Sequence, residues 1–277
     1  MDMNWIQSLI YGLVSGFTEF VPISSQAHQE LLIELFGVQG RDPFRDFVVH
    51  LSILFSLYSG CRAMLDNLRR ENRQQVHNRR STARTSRILL DQRFVKNATI
   101  PMLIGLLVLS YIFNGKSNLL VTAAFFLVNG IILFVPGRMM QGNKGAYSMS
   151  YMDSLLTGCL GALSAISGIS RVACITSASI GRGANRQNAL NWAFLLSIPA
   201  LMLLSGLDVL KIISGTGNIN FWGSFFTYIV SAAGAYIGGY YSIVLMKFLT
   251  VRVGFSGFSY YCWGASLFTF LLYLTIV

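Results

Sequence analysis

A run of polar residues interrupts an apolar stretch near the start of the chain: Gly16-Phe17-Thr18-Glu19-Phe20-Val21-Pro22-Ile23-Ser24-Ser25-Gln26-Ala27-His28. Pro22 cannot donate a backbone hydrogen bond, so it predicts a break in any helix that reaches it. Ser24 or Ser25 can then cap a new helix, whose first-turn N–H groups lack partners within the helix. Such an N-terminus attracts anions, phosphate above all. His28 follows Ser25 by three residues, close to one helical turn, so hydroxyl and imidazole can share a face. That pairing is the minimum for an activated nucleophile. Glu19 is an acid inside an apolar segment, a costly placement that marks functional sites. A second polar cluster holds Ser164, Ser167, Gly168, Ser170 and Arg171. Arg171 is the only cation between Lys144 and Arg182, and its planar fork matches phosphate oxygens two at a time. Gly168 allows close backbone approach. Asp46 and His50 stand four apart and share a helix face, able to reach the same cavity or to pair with each other. Each residue also has a plainer reading: a cap for the serines, a Glu19–Arg171 ion pair, a buried core histidine.

The elements that must position these groups follow from composition. The chain has 277 residues, of which 53% are hydrophobic and 12% charged, with a mean hydropathy of +0.56. Soluble domains average about 25% charged residues, so this chain has too little polar surface for a water-soluble globule, and too much apolar content for disorder. Four cysteines, Cys61, Cys159, Cys174 and Cys262, lie in apolar runs and read as buried thiols rather than a disulfide framework. The net charge of +10 does not point to nucleic acid, because 10 of the 21 basic residues fall between Arg62 and Lys96. A basic run between hydrophobic segments is the mark of a cytoplasmic loop, with anionic lipid headgroups as neighbours. No nucleic-acid partner is expected; the bilayer is.

Segments able to cross a ~30 Å hydrocarbon core need about 20 residues. Six qualify: 44–64, 97–113, 119–137, 188–210, 222–249 and 257–277. Two more, 5–36 and 153–181, are broken by Gly, Pro, Ser and charge and read as re-entrant segments. With basic loop 65–96 inside the cell, Arg138, Lys144, Arg182, Arg186, Lys247 and Arg252 fall inside as well, while Arg41 and Arg45 fall outside. Segment 5–36 then enters from outside and 153–181 from inside.

An offset of 146 residues lays Ser8-Leu9-Ile10-Tyr11-Gly12-Leu13 over Ser154-Leu155-Leu156-Thr157-Gly158-Cys159, and Ile23-Ser24-Ser25 over Ile169-Ser170-Arg171. The chain thus reads as two repeats, 1–140 and 150–277, of opposite topology. The expected fold is an all-α integral membrane protein, an inverted-topology repeat with six transmembrane helices and two re-entrant helical hairpins. In such folds the broken helices meet near the midplane and form the binding site.

The Gly16–His28 run, followed about 140 residues later by Gly168-Ile169-Ser170-Arg171, resembles the undecaprenyl-diphosphate phosphatase family, the bacitracin-resistance phosphatases. Asn191-Trp192-Ala193-Phe194-Leu195-Leu196-Ser197-Ile198-Pro199 resembles the stretch after the family's second motif, and the likeness runs over essentially the whole chain. It implies a multi-pass enzyme of the bacterial cytoplasmic membrane that removes the terminal phosphate of undecaprenyl diphosphate, its active site facing outside, so that the carrier lipid is reused for cell-wall synthesis. It also implies a divalent cation, Mg²⁺ or Ca²⁺, and leaves room for a homodimer.

Carried over by position, Glu19 would hold the metal or the attacking group. Ser25 and His28 would be nucleophile and base in an order left open. Arg171 would clamp the diphosphate, with Ser24, Gln26, Gly168, Ser170, Ser15 and His50 as further substrate-binding candidates. Four positions depart from the family's pattern. Ser15 stands where a second Glu is usual, Gln26-Ala27 where Thr-Gly is usual, Ser167 where Pro is usual, and Val172-Ala173 where Ser-Gly is usual. A transporter or flippase for polyprenyl phosphates, or a non-catalytic binder of lipid diphosphate, would use the same architecture.

Overall fold

The computed structural model describes residues 3–38, 40–66, 83–113, 118–139, 142–145, 148–215, 219, 221–252 and 255–276. The first polar run folds as expected of a proline-broken helix. Helix α1 (Trp5–Phe20) starts from a capping box of Asn4 and Gln7 and stops in extended backbone at Val21, the conformation that a following proline imposes. Helix α2 (Ser25–Leu35) resumes after a short turn and ends before Gly37, whose φ of 63° closes it. Helix α3 (Pro43–Gly60) is capped by Asp42, with proline at its first position.

Helix α4 (Ala83–Phe113) begins well before the expected span. Residues 83–96, the last part of the basic connection between two expected spans, are therefore helical; a basic sequence does not prevent a helix from continuing out of an apolar core. Residues 67–82 of that expected loop lie outside the described residues. Helix α5 (Leu119–Arg138) is capped by Asn118.

The second polar run repeats the first design. Helix α6 (Tyr151–Ala162) starts from a capping box of Ser150 and Asp153, a single turn follows at Leu163–Ala165, and helix α7 (Arg171–Gly181) is capped by Ser170. Three long helices complete the chain: α8 (Arg186–Ile213), α9 (Phe221–Arg252) and α10 (Gly257–Ile276). Among the described residues the only β-pairing is an isolated bridge between Lys144 and Ala184.

Among the described residues, four helical stretches are long and apolar enough to cross a membrane: Arg93–Phe113, Leu119–Arg138, Arg186–Ile213 and Phe221–Thr250. Helices α3 and α10 have 18 and 20 residues but start with more polar turns. Large apolar side chains such as Tyr111, Ile100, Trp222, Phe226 and Leu267 stand exposed on α4, α9 and α10, a surface that water does not tolerate in a monomer and lipid does. The chain is an all-helical membrane protein.

Between helices in lipid, close van der Waals packing replaces the hydrophobic effect, and small residues permit it. α1 packs on α9, and α6 packs on α4. A Cβ at Gly12 would lie 2.1 Å from the Ser231 carbonyl oxygen of α9, and one at Gly158 would lie 2.2 Å from the Ala98 carbonyl oxygen of α4. Gly12 and Gly158 are the two glycines superposed by the 146-residue offset. Each half thus lays the first helix of its broken segment against a long helix of the other half. α5 and α10, the last helices of the two halves, pack on each other as well. All four cysteines are unpaired; three are buried and Cys159 is exposed.

Candidate active site

Ser25 is the first residue of α2 and Arg171 the first residue of α7, and both line one small chamber. α1 contributes Glu19 from its last turn, α2 adds Gln26 and Gln29, and α3 adds His50. The segment before α7 supplies Ser164, Ile169 and Ser170, and α8 supplies Leu204. Two helix N-termini therefore meet at one polar cavity, with N–H groups of both first turns near it. Ser24, the residue before α2, makes no side-chain cap. Ser170 caps α7 by accepting from the Ala173 N–H.

Arg171 is buried, and its Nη1 donates to Glu19 Oε1 at 2.9 Å. Its Nε is buried without a partner. A buried guanidinium with an unspent donor costs free energy unless an anion or water completes it. The ion pair expected as the plain reading of Glu19 and Arg171 is present, and it lies on the chamber wall.

The two breaks are bolted to each other. The Gly168 N–H donates to Ser24 Oγ at 3.2 Å, while Asn129 of α5 accepts from the Ser170 N–H at 2.9 Å and donates to the Pro22 carbonyl at 3.0 Å. Gly168 has φ +100°, and a Cβ there would lie 2.5 Å from Phe125 Cβ, so only glycine fits. Ser24 has φ +68°, the one non-glycine residue with positive φ among the described residues, a conformation that costs about 1–2 kcal/mol for an L-residue and is sustained here by the bonds around it. Ser167, which stands where the resembled family carries proline, donates to Glu30 Oε2 at 2.5 Å, and Thr122 donates to the same oxygen at 2.8 Å.

Not every expected residue reaches the chamber. The Ser25–His28 pair does not form. His28 Nδ1 bonds the Ser24 carbonyl at 2.7 Å, its Nε2 bonds the Tyr261 hydroxyl at 2.7 Å, and its ring stacks on Tyr261 and meets Phe126 edge-on. A spacing of three residues put the two on neighbouring positions of α2, but the N-terminal position of Ser25 turns its hydroxyl back to α1, where it donates to the Ser15 carbonyl at 3.1 Å. Ser15 is buried with its own hydroxyl spent on the Tyr11 carbonyl. Ser24 and Gly168 hold the turns and do not line the cavity. Asp46 and His50 do not pair: Asp46 accepts from the Tyr11 hydroxyl at 2.8 Å and lies 3.7 Å from Arg41. His50 bonds Asp208 of α8 at 2.7 Å.

Ser164 of the second polar cluster does reach the chamber, whereas Asp208, Asn129, Glu30 and Gln29 are residues that the sequence pattern did not single out. Asp208 and Asn129 carried a usable signal, a polar side chain within an apolar span.

A family model described as "Bacitracin resistance protein BacA" matches residues 8–268. The chain belongs to the BacA family. Curated relatives match it over nearly their full length and its own. An undecaprenyl-diphosphatase of Carboxydothermus hydrogenoformans is 30% identical over 94% of each chain. Undecaprenyl-diphosphatase 2 of Stutzerimonas stutzeri is 31% identical, also over 94% of each. Undecaprenyl-diphosphatase 3 of Bacillus cereus is 28% identical over 99% of this chain and 100% of its own. In this BacA chain both broken segments, with their departures at positions 15, 26–27, 167 and 172–173, fall within the matched region.

Proposed function

We propose that this chain hydrolyses undecaprenyl diphosphate to undecaprenyl phosphate and inorganic phosphate, the reaction for which its relatives are named. The observation that carries the reading is the chamber itself: Arg171 with an unpartnered Nε, Glu19 beside it, and the N-termini of α2 and α7 converging on one cavity. Two helix N-termini and a guanidinium suit a polyanion, and charge developing on a transferred phosphoryl group is what such donors stabilise. The diphosphate would be clamped by Arg171, with Ser170, Gln26 and Gln29 as polar neighbours. The attacking hydroxyl would come from Ser25 or from water.

A divalent cation is part of this proposal. Among the described residues no group of three or more His, Cys, Asp or Glu side chains is placed to hold a metal, and Glu19 is the single carboxylate lining the chamber. One or two carboxylates plus substrate phosphates are the usual shell of Mg²⁺. The donor set therefore fits a cation that arrives with the diphosphate, held by the Glu19 oxygen that Arg171 does not engage and by hydroxyl and amide oxygens near it. When bound, the cation would offset phosphate charge.

The lipid tail would lie in the bilayer. α2, α6 and α7, with 11, 12 and 11 residues, are about 16–18 Å long at 1.5 Å per residue, too short to cross. That length supports two re-entrant pairs beside six spans, and the interleaved packing of the halves supports an inverted repeat. On this topology the chamber opens to the outer face of the cytoplasmic membrane.

The test is phosphate release from undecaprenyl diphosphate by the purified protein, with and without chelator and with Mg²⁺ or Ca²⁺ restored. Release that falls with chelator and returns with metal is expected. Stoichiometric binding of the lipid without release would instead favour a carrier or sequestering role, a reading to which the single carboxylate at the chamber, with Ser15 in the place of a second, lends its weight.

A further inference from the structure

The chamber contains one imidazole, and it is not the one in the first broken segment. His50 projects from α3 to the chamber wall, and its Nδ1 lies 2.7 Å from Oδ2 of Asp208 on α8. The side chains are 12% and 5% exposed, respectively. The other carboxylate oxygen of Asp208 lies 3.5 Å from Lys211 Nζ, so the acid is held on both sides. A carboxylate beside Nδ1 fixes the tautomer: Nδ1 carries the proton and donates, which leaves the lone pair on Nε2. Nε2 of His50 makes no hydrogen bond among the described residues, whereas both ring nitrogens of His28 are spent on Ser24 and Tyr261. Glu19, the other basic group on the wall, is committed through one oxygen to Arg171.

We infer that His50, oriented by Asp208, is the proton acceptor of the phosphatase chamber, with Asp208 a positioning residue that acts through it. The inference rests on the phosphatase reading above. In the step it assigns, the oxygen of the attacking hydroxyl bonds to the terminal phosphorus and its proton passes to His50 Nε2. The bond from that phosphorus to the bridging oxygen breaks, its electron pair stays on the bridging oxygen, and the lipid monophosphate leaves. The proton on Nε2 then passes to the bridging oxygen or to water. Where Ser25 attacks, a phosphoserine forms first, and water attacks it with His50 accepting the second proton. The assignment joins a base to an orienting carboxylate, the arrangement that holds an imidazole in one tautomer and one direction.

The experiment compares wild type with H50Q, H50A, D208N, D208E, H28A and R171A, all purified in detergent and checked for folding by size-exclusion and circular dichroism. Phosphate release and binding of undecaprenyl diphosphate are measured for each. The expected result is a fall in kcat of about 100- to 10,000-fold in H50Q, with lipid affinity within about threefold of wild type. D208N should fall by about tenfold or more in kcat with KM retained, D208E should regain part of that loss, and added imidazole should restore activity to H50A but not to H28A. Wild-type-like turnover in H50Q beside an inactive R171A overturns the assignment, as does imidazole rescue of H28A alone. Should wild type bind the lipid and release no phosphate under any cation, the phosphatase reading fails and this inference with it, an outcome separate from the first two.

Discussion

The two broken segments share a plan and differ in content. Each is a short helix packed through a glycine on the backbone of a long helix from the other half, then a turn, then an 11-residue helix whose first residue lines the chamber. The first turn combines Pro22 with a strained Ser24, and its segment delivers an acid and a hydroxyl. The second turn uses Gly168 and delivers a guanidinium. Scaffold features are thus duplicated while chemical groups are divided, so that neither half holds a complete site. Asn129, reaching from α5 to both turns, is what keeps the halves of the site in register.

The largest effect that would sharpen this contrast is at Arg171. Arg171→Ala should lower phosphate release by about 100- to 1,000-fold, the range for losing a preorganised donor. It also leaves Glu19, whose side chain is 10% exposed, without its partner, a cost of up to about 3–5 kcal/mol, so a thermal-shift measurement should register it. The double variant Glu19→Gln/Arg171→Gln should recover most of that stability and none of the activity. Recovery of both would mean the pair is only a strut.

Packing comes next. If the halves are equivalent as scaffold, Gly12→Leu and Gly158→Leu should each reduce the yield of folded protein or its Tm by a similar, large amount, because each side chain would meet a carbonyl oxygen. A well-folded Gly158→Leu beside a collapsed Gly12→Leu would break the comparison. A smaller loss is expected from Ser24→Ala, which keeps the left-handed backbone but strands the Gly168 N–H; about 1–3 kcal/mol is typical of a buried donor left unpaired, read by chemical denaturation.

The smallest effect on the chemistry is expected at His28. His28→Ala removes the tie between the Ser24 carbonyl and Tyr261, so it should loosen α2 and lower Tm while leaving more residual activity than H50Q. Activity equal to or below that of H50Q, with Tm unchanged, would restore His28 to the chamber.

Much of this was legible in the residues. The Glu19–Pro22–Ser25 run announced a broken helix with an acid before the break and a helix N-terminus after it, and the solitary Arg171 announced its partner. Both readings depend on local chemistry: a proline's missing donor, a serine's capping, an unpaired charge in an apolar stretch. The Gly12–Gly158 correspondence was visible too, although the backbones that those glycines would meet were not. What failed was the side chain's direction. Ser25 and His28 sit at the right spacing, yet Ser25 is the first residue of its helix and turns toward α1, and His28 turns toward α10.

Composition and pattern alone determined that the chain is helical and membrane-embedded, where it breaks, and which half carries the acid and which the guanidinium, because these follow from period, hydropathy and the backbone limits of single residues. Which histidine faces the chamber, which carboxylate stands behind it, and that Asn129 joins the two turns were decided only in three dimensions. Those contacts join residues as many as 158 positions apart, and no local preference of the chain encodes the side of a helix that a distant helix will choose to cover.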